Sequence, residues 1–100
     1  MSIKVIMTWD IHPGREQEYF EFVVRTFMPR VTEMGLEMND AWVTIYGEHP
    51  QILVGAEVNT LQKAIQITQS EEWIHLNDKL QEYVDNYTFK LTPLKGAFQF

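Results

Sequence analysis

The chain reads as an α+β domain: an antiparallel sheet with helices on one face. Three observations predict this. Strand-like and helix-like periodicities alternate in the order βαββαβ. The helical segments each carry a single apolar stripe. The strand segments carry large apolar side chains on both faces, and a chain of 100 residues has helices enough to cover only one of them.

The first strand spans residues 3–10. Ile3, Val5, Met7 and Trp9 point one way, and Lys4, Ile6, Thr8 and Asp10 the other. His12-Pro13-Gly14 ends it in a tight turn, since Pro presets φ and Gly accepts positive φ. A long helix follows over 15–34, with Phe20, Val23, Val24, Phe27, Val31 and Met34 at helical spacing. Glu16, Glu18 and Glu21 suit its N-terminal dipole. Pro29 lacks a donor and crowds the carbonyl of Arg25, so a kink or break is expected there. Gly35 is the expected left-handed cap.

Residues 36–46 contain the second strand, 47–50 form a hairpin loop, and 52–58 form the third strand. Asn59 or Thr60 caps a short helix carrying Leu61, Ala64, Ile65 and Thr68. Ser70 opens another helix, whose stripe is Trp73, Leu76, Leu80, Tyr83 and Val84. The last strand covers about 87–92 and stops at Pro93. Residues 94–100 read as a tail or short extra strand that packs on something, because Phe98 and Phe100 are costly to leave wet.

Composition narrows the function. Residues 1–100 make one domain, and 45% apolar residues suffice for a real core. There is no Cys, hence no disulfide, thiol nucleophile or thiolate metal site. A net charge of −6 and scattered Lys and Arg argue against nucleic acid or an anionic membrane surface as partner. No signal peptide or apolar run near membrane length is evident, and a cytoplasmic location is expected.

One sheet face collects Ile3, Val5, Met7, Trp9, Ala41, Val43, Ile45, Ile52, Val54, Ala56, Val58, Tyr87, Phe89 and Leu91, and the helices should lie on it. The other is mixed: Ile6, Thr8, Asp10, Trp42, Thr44, Tyr46, Leu53, Gly55, Glu57, Thr88, Lys90 and Thr92. A monomer rarely exposes such a face, so a second copy pressed against it, giving a homodimer, is the expectation.

The βαββαβ order, the His12-Pro13-Gly14 turn before a helix opening Arg15-Glu16, and the late helix opening Ser70-Glu71-Glu72-Trp73 resemble the dimeric α+β barrel superfamily. Its members include antibiotic-biosynthesis-type monooxygenases, stress-responsive barrel proteins and NIPSNAP-like proteins. The resemblance implies a ferredoxin-like subunit and a homodimeric α+β barrel, and no single activity. Haem-degrading members use a His of the late helix, an Asn on the first strand and a nearby Trp. Here Leu76 and Leu80 follow Trp73, and the first strand offers Met7 and Thr8, so that pattern is unmet. Cyclase-type members use a His and a Tyr, where this chain presents Trp73 and apolar neighbours.

Site candidates follow. His12 and His49 precede prolines in turns and read as solvated. His75 lies about 200° around its helix from Trp73 and faces outward. No His is spaced from another ligand as a metal pair, so no metal and no cofactor are expected. Met7, Trp9, Phe20, Phe27, Trp73 and Tyr83 are the candidates to line a cleft between sheet and helices, or else to form ordinary core. Asp10, Tyr46, Glu57 and Lys90 are the polar candidates for the barrel interior, either as a carboxylate base or as an interfacial ion pair of Lys90 with Glu57 or Asp10 that fixes the register of the dimer. Glycines make no phosphate-binding spacing. The leading expectation is a small-molecule pocket protein acting on an apolar or aromatic compound, in the manner of a metal-free monooxygenase. The alternative is a non-catalytic ligand-binding or stress-associated dimeric module.

Overall fold

A computed structural model describes residues 2–43 and 52–93, with 39–43 described by backbone alone. Its elements are β1 (Ile3–Ile11), α1 (Glu16–Phe22), a π turn (Val23–Phe27), α2 (Met28–Glu33), β2 (Glu37–Val43), β3 (Ile52–Val58), α3 (Leu61–Thr68), α4 (Glu71–Leu80) and β4 (Val84–Pro93). The strands form one antiparallel sheet in the order β2-β3-β1-β4. This is the expected α+β, ferredoxin-like arrangement, with the two middle strands β1 and β3 joined through Ile3↔Val58, Val5↔Ala56, Met7↔Val54 and Trp9↔Ile52.

Local chemistry sets the element ends as read from sequence. Arg15 N–H donates to His12 C=O at 3.0 Å, and Gly14 has φ +88°, so Pro13-Gly14 forms a type II turn. Gly35 (φ +108°) closes α2 in a Schellman motif: Leu36 N–H donates to Val31 C=O at 3.1 Å and Gly35 N–H to Thr32 C=O at 3.1 Å. Leu36 drops into the core directly after it. Thr60 Oγ1 accepts from Lys63 N–H at 3.1 Å, and Ser70 Oγ from Trp73 N–H at 3.2 Å, which caps α3 and α4.

Three irregularities depart from the sequence reading. The first is the π turn. The helix neither stops nor breaks ahead of Pro29; it widens, and Met28 N–H bonds Val23 C=O five residues back. A wider turn accommodates the proline ring that would crowd the Arg25 carbonyl in a regular helix. It also inserts one residue into the helical phase. Counting back from buried Phe27 and Val31, a regular helix turns Phe20 and Val24 inward; one inserted residue gives those places to Tyr19 and Val23. Phe20 is accordingly 54% exposed and Val24 68%, whereas Tyr19 is 3% exposed. The expectation for Phe20 is corrected by that one-residue shift.

The second irregularity lies in β4, which starts at Val84 rather than near Tyr87. Between Thr8↔Thr88 and Asp10↔Asp85, β4 carries one residue more than β1. Asn86, at φ +57°, is the only non-glycine residue with positive φ among the described residues, and Asn tolerates that region better than most. This bulge lets Val84 and Tyr87 both face the helices, which strict alternation forbids. The third is a bulge in β2, where Met38↔Ala56 is followed by Asp40↔Gly55.

The core fills the space between the helices and one sheet face. Val5, Met7, Trp9, Phe27, Val31, Leu36, Ala56, Ala64 and Leu80 are all fully or almost fully buried there. No described helix is long and apolar enough to cross a membrane.

Candidate functional site

Trp9 is the hub of the helix-side core. Its indole N–H donates to the Tyr19 hydroxyl at 2.8 Å. Its ring meets Tyr19 and Phe27 edge-on, at centroid distances of 6.4 and 6.0 Å, and lies nearly parallel to Tyr87 at 6.2 Å. The Tyr87 hydroxyl in turn donates to Asn77 Oδ1, and Asn77 Nδ2 donates to the Trp73 carbonyl at 2.9 Å. Burial raises the pKa of both Tyr19 and Tyr87, the Trp9 hydrogen bond opposing it slightly at Tyr19. Both phenols therefore stay neutral donors and acceptors at ordinary pH.

Four of the six cleft candidates, Met7, Trp9, Phe27 and Trp73, meet inside this core. Trp9 is 1% and Trp73 2% exposed, so neither ring borders an open cleft. Tyr83 sits apart, half-buried against Phe22 (5.5 Å), with the Arg15 guanidinium 5.0 Å above its ring and Lys79 Nζ at 5.6 Å. Phe20 touches Tyr19 edge-on at 5.1 Å from the surface side. Tyr19, Asn77 and Tyr87 belong to the buried network but were not among the candidates. Asn77 is legible as a polar residue four positions after Trp73 in the same stripe; Tyr19 is hidden by the π turn.

The sheet face opposite the helices carries a groove of about 410 Å³. Ile6 and Leu53 lie in its floor, Thr8, Thr88, Thr92 and Lys90 supply its polar groups, and Phe89, whose ring meets Trp73 on the helix side, borders it on the edge strand. Register explains the grouping: Ile6 is opposite both Gly55 and Lys90, and Thr8 is opposite both Leu53 and Thr88. Gly55 adds no side chain, which leaves space beside Ile6. The Thr8 and Thr88 hydroxyl oxygens lie 2.6 Å apart in a hydrogen bond across the strands.

Of the polar candidates for this face, Lys90 is in the groove and exposed, beside neither Glu57 nor Asp10. Glu57 is opposite Lys4, one strand pair away. Asp10 lies beyond the bulge, where its Oδ2 accepts from Asn86 Nδ2 at 3.0 Å. Register thus sets Lys90 apart from both within one protomer; the expected ion pair is one across the interface between two copies. Tyr46 lies outside the described residues, as do Thr44, Ile45, the 47–50 loop and the 94–100 tail.

His12 is exposed, with Nδ1 3.0 Å from Asp85 Oδ2. His75 is exposed on α4, as its helical angle predicts, in a shallow depression with Arg30, Glu72 and Lys79. Among the described residues no group of three or more His, Asp or Glu is placed to hold a metal ion.

No family model matches the chain, and no curated protein does. Solved structures do. A NIPSNAP family protein from Agrobacterium tumefaciens matches with 15% identity, a TM-score of 0.68, and coverage of 95% of this chain and 94% of that one. An ethyl tert-butyl ether d (ethd) family protein from Bacillus halodurans matches with 15% identity and a TM-score of 0.66, over 95% and 100% of the two chains. A dabb family protein with a ferredoxin-like fold from Mesorhizobium loti matches with 11% identity and a TM-score of 0.73, over 95% and 98%. At these identities the likeness carries the fold alone, a ferredoxin-like α+β fold, as the sequence resemblance implies.

Proposed function

We propose that the chain works as a homodimeric α+β barrel module that binds a small apolar molecule between its facing sheets. One observation carries this reading: among the described residues, an apolar recess with convergent polar groups, about 410 Å³, opens on the sheet face that lies opposite the helices. That volume falls within the range of ordinary ligand sites, roughly 300–1,000 Å³. A second copy laid over the face turns an open groove into an enclosed one and covers Leu53 and the edge strand.

Binding stands ahead of metal-free oxygenation. The oxygenase expectation places a flat substrate ring in the cleft beside Trp9 and Trp73, and those rings are packed against Phe27, Tyr87 and Phe89. A substrate there would have to displace core. The sheet-face groove has hydroxyls and one ammonium, a set suited to holding a ligand.

Sedimentation of the wild-type chain and of Leu53→Asp tests the assembly. The wild type is expected to sediment as a dimer at micromolar concentration and the variant as a monomer, since a buried unpaired carboxylate is strongly disfavoured. A monomeric wild type, or a variant as dimeric as the wild type, overturns the reading.

A further inference from the structure

We infer that the groove on the open sheet face selects a small organic anion, a carboxylate with an apolar body. The inference deepens the binding reading above and rests on it. The groove's polar groups are all able to donate, and the one that carries charge is a cation. Lys90 projects from the same face of β4 as Thr88 and Thr92, directly opposite Ile6. Among the described residues it has no carboxylate partner. Three other surface cations differ: Arg15 lies 2.9 Å from Glu18, Arg30 3.7 Å from Glu72, and Lys79 3.4 Å from Glu82; exposed Arg25 and Lys63 share the unpaired state of Lys90 among the described residues, but neither stands on this sheet face. None of the described residues lining the groove is acidic, in a chain whose net charge is −6. The local sign is the reverse of the global one.

The hydroxyl pair adds direction. Thr8 and Thr88 share one proton in their mutual hydrogen bond, so the second hydroxyl proton of the pair is left to donate elsewhere. A lysine ammonium donates and never accepts. A carboxylate accepts from both kinds of donor, and such charge-assisted bonds are the stronger class. An alcohol would satisfy the hydroxyls and leave the ammonium without a counter-charge; an amine would be repelled by it. Ile6 and Leu53 supply the apolar floor for the body of the ligand, and a covering sheet would lower the local dielectric and strengthen the ion pair.

The test uses three probes that share one body and differ in head group: phenylbutyrate, phenylbutanol and phenylbutylamine. Each is titrated into the 100-residue chain while amide chemical shifts are followed. Phenylbutyrate is expected to shift Thr8, Thr88 and Lys90 and to bind about tenfold tighter than the alcohol, with the amine weakest. Lys90→Met should erase the acid's advantage while keeping alcohol binding, which also shows that the groove is intact. Lys90→Glu should move the preference to the amine. Equal affinity for acid and alcohol, an acid preference that survives Lys90→Met, or shifts confined to another surface overturns the inference. Sedimentation of the same samples separates the two readings. A dimer without head-group preference overturns the anion alone, and a monomer that prefers the acid overturns the facing-sheet assembly.

Discussion

The one-residue phase shift in the first helix makes the sharpest prediction about stability. Tyr19 and Phe20 are adjacent aromatic residues, and only one of them can serve the core. A regular helix running back from Phe27 selects Phe20; the π turn selects Tyr19. Tyr19→Phe removes the acceptor of the Trp9 indole N–H, which has almost no access to water, and should cost about 1–3 kcal/mol. Tyr19→Ala deletes a nearly fully buried ring and leaves a cavity, a change that typically costs about 3–5 kcal/mol. Phe20 is more than half exposed, so less than half of the roughly 1.5–3 kcal/mol of a fully buried side chain is at stake, and Phe20→Ala should cost about 1 kcal/mol. Urea unfolding followed by tryptophan fluorescence measures all three. The runs need one fixed protein concentration, because self-association makes apparent stability concentration-dependent. If Phe20→Ala proves as costly as Tyr19→Ala, the helix is regular and the phase argument is wrong.

Alkaline stability should report the buried phenols. The pKa of Tyr19 and of Tyr87 is raised in the folded chain by burial, so their contribution is fully present below the unfolded value of about 10 and is lost as pH rises through the higher folded values. Unfolding free energy measured on either side of that value should fall with pH, and Tyr87→Phe should flatten the fall; an unchanged slope would count against a buried neutral Tyr87. Ser70→Ala removes the acceptor for Trp73 N–H and the donor to the Ile67 carbonyl, and should cost about 1 kcal/mol, read as a drop in Tm. A Tm unmoved by that substitution would mean the cap is satisfied by water.

Much of the fold was legible because most of the chain obeys simple periods. The two-residue period of β1 and β3 assigned Val5, Met7 and Trp9 to one side and Ile6, Thr8 and Leu53 to the other, and register confirms both sets. The caps at Thr60 and Ser70, the Pro13-Gly14 turn and the Gly35 stop follow from side chains acting on their own backbone, so no tertiary knowledge was needed. What escaped was each place where one residue is inserted. Apolar spacing cannot reveal a π turn, since Phe20-Val24-Phe27-Val31 and Tyr19-Val23-Phe27-Val31 are both plausible stripes. The start of β4 was missed for the same reason: Val84 and Tyr87 are three apart, which reads as helix until Asn86 is placed as a bulge. Within one protomer the place of Lys90 follows from register, which sets it across from Ile6.

These irregularities also indicate which face is free for chemistry. The π turn and the Asn86 bulge each redirect a tyrosine onto Trp9, and the two tyrosines close the helix-side interior through hydrogen bonds and ring contacts. A core braced in this way resists opening for a ligand, since a guest would have to unmake a connected polar network inside a dry interior. The groove uses no such device. Ile6 and Thr8 alternate regularly on β1, as do Thr88, Lys90 and Thr92 on β4, and no described residue offers Lys90 a counter-charge. Among the described residues, one face of the sheet is therefore satisfied by its own chain, and the other holds the donors on which the anion proposal rests.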